Sequence, residues 1–249
     1  MDQNNLKYNN QVNPATDHTN NYKSLMNLVS AKTYNSLSIL FFIIYLLTSY
    51  GCASKPPYEK GGFKTSELVE FVKLDSSIHL DIRYATKNNF TGRIVYKEAR
   101  AFLQKPAAEA LVKVNEDFRT LGYGLLIFDG YRPWSVTKLF WDLTPDENKI
   151  FVANPKEGSR HNRGCAIDLT LFELDSGDEV QMTSQYDEMN ERSYINFAGG
   201  TLEQRKMRDL LINIMSKNGF KPYEYEWWHF DYQGWEEYRI QNIQFSEIK

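Results

Sequence analysis

Strand-like and helix-like patterns follow one another irregularly along this chain. Leu125–Phe128 is an apolar run, and Gly164–Leu171 is a second run, so both are predicted to be strands. A helical pattern that begins at Pro106 precedes the first strand, and Pro133 follows that strand where another helix can begin. The strict alternation of strand and helix that is typical of parallel sheets is missing. We therefore predict an α+β fold in which helices flank an antiparallel sheet.

Three further segments complete the predicted elements. Ile78–Tyr84 alternates apolar and polar residues, as a half-buried strand does. Thr201–Gln204 matches a capping box that opens a helix, and a final strand is predicted over Tyr225–Tyr232. The helix that precedes Leu125–Phe128 is expected to end at Gly122. The residues expected on the apolar face of that helix are Leu111, Val114, Phe118 and Leu121.

The predicted strand Gly164–Leu171 carries an aspartate among apolar residues. Side chains alternate across a strand, so Asp168 shares a face with small neighbours while the opposite face is aliphatic. Burying a carboxylate in such a strand is costly unless it has a partner. His161 lies seven residues earlier in a polar stretch, so a metal ion shared by the two residues is one interpretation. The other is an aspartate that accepts hydrogen bonds from the backbone or from an arginine.

A second polar pair lies in the last predicted strand, where Glu226 precedes His229 by three residues. His161, Asp168 and His229 would supply three metal ligands and leave a further position for water, which is the pattern of catalytic zinc. Glu226 would then act as the base toward the activated water. Alternatively, Glu226 and His229 form an ordinary polar pair flanked by core tryptophans.

Arg132 lies in the turn Asp129–Pro133, directly after a predicted strand. A fixed guanidinium at this position can stabilise the oxyanion that forms when a carbonyl is attacked. It can equally anchor the turn by pairing with Asp129. The sequence favours neither role over the other.

Charge and cysteine content limit the partners of the chain. The net charge is −3 at pH 7 and no tract of Lys and Arg stands out, so we expect no nucleic-acid partner. The two cysteines, Cys52 and Cys165, cannot build a disulfide framework.

Residues 1–52 are predicted to be an N-terminal extension with a lipoprotein-like signal segment. Ile39–Leu47 is an apolar run that is too short for a membrane-spanning helix of ~20 residues but fits the apolar part of a signal peptide. Cys52 ends a partial lipoprotein box, so we expect lipidation there and an exported, periplasmic or membrane-anchored protein. A simple signal anchor, or a cytoplasmic protein whose leader is not a functional signal, is the alternative. Residues 53–65 are predicted to form a tether, and residues 66–249 the folded domain.

Several short motifs, in order from about Asp81 to Phe230, resemble the D-alanyl-D-alanine dipeptidases of the VanX type. These zinc peptidases are related to zinc D,D-carboxypeptidases and to the hedgehog signalling domain. The resemblance therefore implies a hedgehog/D,D-peptidase-like zinc peptidase fold. The matching motifs include Asp129–Pro133, Ser159–Leu171, Leu174–Gly177, Met189–Ser193 and Glu226–His229.

The resemblance implies a zinc-dependent hydrolysis of D-Ala-D-Ala to two D-alanines. It implies one Zn²⁺ per chain, bound by His161, Asp168 and His229. Glu226 is then the general base, and Arg132 stabilises the transition state.

The resemblance also implies a binding site for a small dipeptide. It places Tyr84, Ser159 and Asp187 around the substrate, with Asp187 facing the free amino group. A longer peptide carries no charge at that point and would leave the carboxylate unpaired, which explains how such an enzyme selects dipeptides.

Two positions depart from the pattern of the family. Arg160 and Cys165 stand where relatives carry small residues such as serine. Cys165 is expected to be a buried, apolar side chain that points away from the metal. The lipoprotein-like leader is also unusual in this family, and an exported enzyme would salvage or turn over D-Ala-D-Ala released from the cell wall.

Two other functions are compatible with the same motifs. One is a zinc D,D-carboxypeptidase that acts on longer peptidoglycan peptides, against which Asp187 argues. The other is a non-catalytic binding module that keeps zinc for structure. Binding alone requires neither Glu226 nor Arg132, so their presence argues against a binding module.

Overall fold

The computed structural model describes residues 55–249 of the chain. The predicted signal segment, the lipidation site Cys52 and the start of the tether lie outside these residues. Within Lys55–Lys249, no helix combines the length and the apolar character that crossing a membrane requires.

Strands and helices are mixed in the described part of the chain, which confirms the predicted α+β class. The strands are β1 (Leu68–Val69), β2 (His79–Leu80), β3 (Leu103–Gln104), β4 (Tyr123–Asp129), β5 (Ala166–Glu173), β6 (Phe220–Tyr223) and β7 (Glu226–Tyr232). The α-helices are α1 (Lys105–Arg119), α2 (Trp134–Leu143) and α3 (Leu202–Lys217).

Five of these strands form one sheet in the order β2-β4-β5-β7-β6. The pairs β4–β5, β5–β7 and β6–β7 are antiparallel, as expected for the sheet. The edge strand β2 instead runs parallel to β4, with His79 opposite Leu126. The chain between β2 and β4 contains α1, and a crossover of this length, usually helical, is what a parallel pair requires. β1 and β3 form a separate antiparallel pair.

Helix α1 covers β4 with its apolar face, as the sequence pattern predicts. Pro106 lies in the first turn of α1, and Leu111, Val114 and Phe118 are completely buried. The prediction for Leu121 was wrong, because α1 ends at Arg119 and the Leu121 side chain is 51% exposed. The helix stops two residues earlier than the apolar spacing indicates.

The segment predicted as the strand Ile78–Tyr84 forms only the short strand β2. Its alternation is nevertheless reflected in burial, since Ile78 and Ile82 are each 3% exposed. The chain then enters a 3-10 helix at Arg83–Ala85, which buries the Tyr84 side chain near the site. Hydrophobic alternation therefore indicates the buried face here, but not the length of the strand.

Helix α3 begins as predicted, with both hydrogen bonds of the capping box between Thr201 and Gln204. Met207 and Leu211 are buried where α3 packs on β6 and β7. The strand β6, between α3 and β7, carries no clear alternation and was not predicted.

Candidate metal centre

The three predicted metal ligands come from two central strands and the turn that precedes one of them. Asp168 lies in β5 and is paired directly across the sheet with His229 of β7. His161 begins a 3-10 helix, His161–Arg163, that immediately precedes β5. Gly164 has a φ of 72°, in the left-handed region that glycine tolerates, and so lets the chain turn from this helix into the strand.

The side chains of these three residues converge on one point. Nε2 of His161 lies 3.1 Å from Nδ1 of His229, and this Nδ1 lies 3.0 Å from Oδ1 of Asp168. The third distance, from Nε2 of His161 to Oδ1 of Asp168, is 3.3 Å. His161 is 2% and Asp168 3% exposed, and the His229 side chain is 12% exposed.

Each imidazole has one nitrogen that faces this point and one outer nitrogen that faces away. The hydrogen bond of the outer nitrogen decides whether the inner nitrogen carries a proton in the neutral ring. Nδ1 of His161 lies 2.7 Å from the carbonyl oxygen of Gly130, and Nε2 of His229 lies 3.0 Å from Oδ1 of Asp231. Each outer nitrogen must donate, because both partners are acceptors, so in the neutral rings the inner nitrogens carry lone pairs. Two lone-pair nitrogens and a carboxylate oxygen thus face one another without a donor, and only a positive charge satisfies all three.

The electrostatics at His229 also favour a positive charge at the same point. Burial would lower the pKa of the imidazole, but Asp231 and Asp168 raise it well above its usual value. Two imidazole nitrogens and one carboxylate oxygen are a donor set that zinc prefers in catalytic sites. The residues present therefore fit a zinc ion.

Two further residues hydrogen-bond to the predicted ligands, and neither was predicted from the sequence. Asp231 accepts the hydrogen bond of His229. It lies two residues after His229 in the same strand, and residues at that spacing share a face, so the sequence could have indicated this contact. The Tyr186 hydroxyl donates to Oδ2 of Asp168 over 3.1 Å. Nothing in the sequence marks Tyr186, because this contact depends on how the loop packs against β5.

Glu226, the predicted base, begins β7 beside the ligands. Its Oε2 lies 3.8 Å from Nδ1 of His229, and its side chain is 13% exposed. Burial raises the pKa of Glu226 to about 8, with His229 opposing the rise and Asp168 adding to it. A cation bound at the three ligands would lower this pKa, because positive charge stabilises the carboxylate.

Arg132 follows β4 and makes the ion pair with Asp129 that was one of its two predicted roles. Its Nε and Nη2 lie 2.9 and 2.8 Å from Oδ2 of Asp129, so the arginine does anchor the turn. The guanidinium also packs over the Phe140 ring, with 4.8 Å from Cζ to the centroid, and its Nη2 lies 3.6 Å from Oδ2 of Asp168. Asp129 and Phe140 thus fix a positive group beside the ligands.

Asp187 lies in the loop between β5 and α3 and has an unusual backbone. Its φ is 61°, and among residues 55–249 it is the one residue other than glycine that has a positive φ. Its Oδ1 accepts a hydrogen bond from the Tyr84 hydroxyl over 3.0 Å, whereas its buried Oδ2 has no partner among the described residues. Burial raises the pKa of Asp187 to about 7, and Asp168 adds to the rise.

Ser159 and Cys165 flank the ligand segment in different environments. Ser159 is 7% exposed, and its hydroxyl oxygen accepts a hydrogen bond from the backbone N–H of His161 over 3.2 Å. Cys165 is completely buried, as expected for an apolar side chain, and its sulfur faces the carbonyl of Arg163. Burial raises the pKa of the Cys165 thiol to about 12, so it stays protonated.

One cavity brings nearly all of the predicted site residues together. Its volume is about 120 Å³, well below the roughly 300–1,000 Å³ of pockets that hold drug-sized ligands. Asp168 is absent from its lining. The predicted residues that line the cavity are Tyr84, Arg132, Ser159, His161, Asp187, Glu226 and His229. The cavity therefore suits a small, charged ligand.

The sequence of this chain is similar to those of known D-alanyl-D-alanine dipeptidases. D-alanyl-D-alanine dipeptidase of Escherichia coli is 35% identical over 182 residues, which cover 73% of this chain and 93% of that protein. The D-alanyl-D-alanine dipeptidases of Enterococcus faecium and Enterococcus faecalis are each 38% identical and cover 65% and 64% of this chain, and 91% and 90% of their own lengths. The family model described as D-ala-D-ala dipeptidase matches residues 64–248. The chain therefore belongs to the D-Ala-D-Ala dipeptidase family.

Proposed function

We propose that this protein hydrolyses D-Ala-D-Ala to two D-alanines with one zinc ion held by His161, Asp168 and His229. The observation that carries the proposal is the buried Oδ2 of Asp187, which has no hydrogen-bond partner within residues 55–249 and belongs to a side chain lining the same cavity as the two histidines. A buried acceptor without a donor is costly, and more so when it is charged. The ammonium group of a free dipeptide is a donor of the right charge for this position.

The residues around the three ligands divide the remaining work of the reaction. When bound, zinc supplies Lewis-acid activation of water and of the substrate carbonyl. Glu226 takes the proton from the attacking water and delivers it to the leaving amine. Arg132, held by Asp129, donates to the oxyanion that develops on the carbonyl.

Asp187 and Tyr84 select the length of the substrate in this proposal. Tyr84 donates to one carboxylate oxygen of Asp187, which leaves the other for the substrate ammonium. A longer peptide would place an uncharged amide there, so a dipeptidase is favoured over a D,D-carboxypeptidase. Ser159 lies in the cavity wall and contributes to the binding of the dipeptide backbone.

Substrate length and charge test the proposal directly. Purified, zinc-loaded protein is assayed with D-Ala-D-Ala, its N-acetyl derivative and a tripeptide that ends in D-Ala-D-Ala. We expect rapid release of D-alanine only from the free dipeptide. Preferred hydrolysis of the tripeptide would instead identify a D,D-carboxypeptidase.

The variant Asp187→Asn isolates the contribution of the carboxylate. Asparagine tolerates the left-handed backbone of this position and removes the charge. We expect kcat/KM for D-Ala-D-Ala to fall by an equivalent of about 2–5 kcal/mol, and the gap to the acetylated dipeptide to narrow. Equal losses on both substrates would mean that Asp187 does not recognise the amino group.

We further propose that the protein is exported, anchored to the membrane through a lipid on Cys52, and active in the salvage or turnover of cell-wall dipeptide. The support is the apolar run Ile39–Leu47 followed by the partial lipoprotein box at Cys52. Cys52→Ser should release the protein from the membrane fraction or leave it unprocessed. An unchanged membrane fraction and an unchanged mass would favour a simple signal anchor.

A further inference from the structure

Arg160 presents a second guanidinium to the cavity, beside the metal ligand His161. Its side chain is 45% exposed and lines the cavity wall. Cζ lies 4.7 Å from the centroid of the Trp235 ring, and Nε lies 3.4 Å from Oδ2 of Asp231. An aromatic face and a carboxylate thus hold this guanidinium at the cavity.

The hydrogen-bonding capacity of Arg160 is largely unused. A guanidinium carries several N–H donors in a planar fork that matches a carboxylate. Among residues 55–249, neither Nη1 nor Nη2 of Arg160 meets a hydrogen-bond acceptor, whereas Nε and Nη2 of Arg132 both contact Asp129. Arg160 is therefore free to bind an anionic group in the cavity.

Arg160 and Asp187 line the same cavity and reach the predicted metal ligands through different neighbours. From Asp187, contacts run through the Tyr84 hydroxyl, then from the Tyr84 ring to Arg132 and on to Asp168. From Arg160, they run through Asp231 to His229, which pairs with Asp168 across the sheet. The cavity lined by the two histidines therefore also holds a negative group and a positive group, each connected to the predicted ligands by its own contacts.

We infer that Arg160 binds the C-terminal carboxylate of the dipeptide substrate. This inference rests on the proposed function and extends it to the other end of the molecule. A free dipeptide is a zwitterion whose single peptide bond lies between its ammonium and its carboxylate. With its ammonium at Asp187 and its carboxylate at Arg160, the dipeptide would lie in the cavity that His161 and His229 also line, so the cavity would recognise both charges.

Removing the carboxylate from the substrate tests the inference. D-Ala-D-Ala and D-Ala-D-Ala amide are compared with the unmodified protein, Arg160→Gln and Arg160→Lys. We expect Arg160→Gln to raise KM for the free acid by about 10- to 100-fold with little change in kcat, because a charge-assisted hydrogen bond is lost. The KM for the amide should change by less than about threefold, and Arg160→Lys should recover part of the loss on the acid.

A binding measurement keeps the inference separate from the proposed function. Zinc-loaded Glu226→Gln protein, with and without Arg160→Gln, is titrated calorimetrically with the acid and the amide. A preference for the acid that Arg160→Gln abolishes supports the inference even if the unmodified protein fails to hydrolyse the dipeptide. Equal losses of affinity or of kcat/KM for acid and amide would overturn it and leave Arg160 only a structural role at Asp231.

Arg239→Gln is the matched control. Arg239 is also an exposed arginine stacked on an aromatic ring, with Cζ 4.6 Å from the centroid of Phe63, but it lies outside the cavity lining. The Arg239→Gln variant should keep the KM of the unmodified protein and its preference for the acid over the amide. A shift in Arg239→Gln as large as that in Arg160→Gln would point to a general charge effect and contradict the inference.

Discussion

His229 is held between two carboxylates that contact its two nitrogens. Asp168 lies 3.0 Å from Nδ1 and Asp231 lies 3.0 Å from Nε2. A carboxylate on the outer nitrogen fixes the tautomer and increases the basicity of the nitrogen that binds metal. The ring is thus oriented toward the metal position by the protein itself.

This arrangement predicts that Asp231 contributes to metal affinity without being a ligand. Asp231→Asn should weaken zinc binding by about 10- to 100-fold, as loss of an outer partner of a ligating histidine typically does. Competition with a chromogenic chelator measures the effect. The exposed Asp178→Asn is the control and should bind zinc normally. Unchanged affinity in Asp231→Asn would show that the carboxylate does not orient the ligand.

Glu226 should be required for turnover and much less for metal binding. Glu226→Gln keeps the shape of the side chain and removes the base, so kcat should fall by roughly 10²–10⁴-fold or more while zinc content stays near one ion per chain. Activity assays and metal analysis of the same sample decide the point. Loss of zinc from this variant would make Glu226 a ligand and the proposed mechanism wrong.

A metal site could be predicted where the sequence buries a charged side chain, because such a side chain needs a partner. An aspartate in an apolar strand needs a partner, and this requirement led to Asp168 and to the histidines that face it. Asp231 could have been predicted from its spacing to His229 in β7, whereas Tyr186 could not, because its contact with Asp168 depends on how a loop packs against β5. The pairing of Arg132 with Asp129 could not be separated in sequence from a role at the oxyanion, because the sequence does not show which groups the guanidinium contacts.

At the scale of elements, the site depends on the register of β5 and β7. Both strands were predicted from their patterns. The pairing of Asp168 with His229 was not, because the register of two strands depends on tertiary contacts that the pattern of either strand does not show. The lengths of short elements were also poorly predicted, as β2 and the end of α1 show. Local pattern therefore identifies buried faces, while tertiary contacts set where each element ends.

The turn at Gly164 connects the His161 helix to β5, so its geometry should matter for stability and for zinc. A Cβ at this position would overlap Cδ2 of Leu68 and lie 3.3 Å from the backbone nitrogen of Gln104, at a φ of 72°. Gly164→Ala should therefore lower the free energy of unfolding by about 2–4 kcal/mol, from backbone strain and overpacking together. Urea unfolding measures this loss, and metal analysis should show reduced zinc affinity.

Gly177→Ala is a control with the same backbone cost. Gly177 has a φ of 76°, but a Cβ there would meet nothing within 4 Å. The free energy of unfolding of Gly177→Ala should fall by only about 1–2 kcal/mol, and this variant should bind zinc normally. Equal losses in the two variants would mean that the packing around Gly164 does not support the site.

At the scale of the whole molecule, zinc would join parts of the chain that are far apart in sequence. His161 and His229 are 68 residues apart, and the metal position lies between the two central strands that bear most of the buried residues of the sheet. Zinc would bind an inner nitrogen of each histidine and the carboxylate of Asp168 together in this buried site. Folding and metal binding should therefore be coupled.

We accordingly expect chelation to lower the melting temperature by about 5–10 °C. A ligand present at about 100 times its Kd stabilises the folded state by ~2.7 kcal/mol, and each kcal/mol shifts Tm by about 2–4 °C in a domain of this size. Thermal melts of zinc-loaded, chelated and reloaded protein measure the shift, which reloading should reverse. His229→Ala removes one ligand, so its Tm should be insensitive to both treatments and its zinc content low. Full zinc occupancy or an undiminished Tm shift in that variant would contradict the assigned ligand set, because the metal would then be held by other residues.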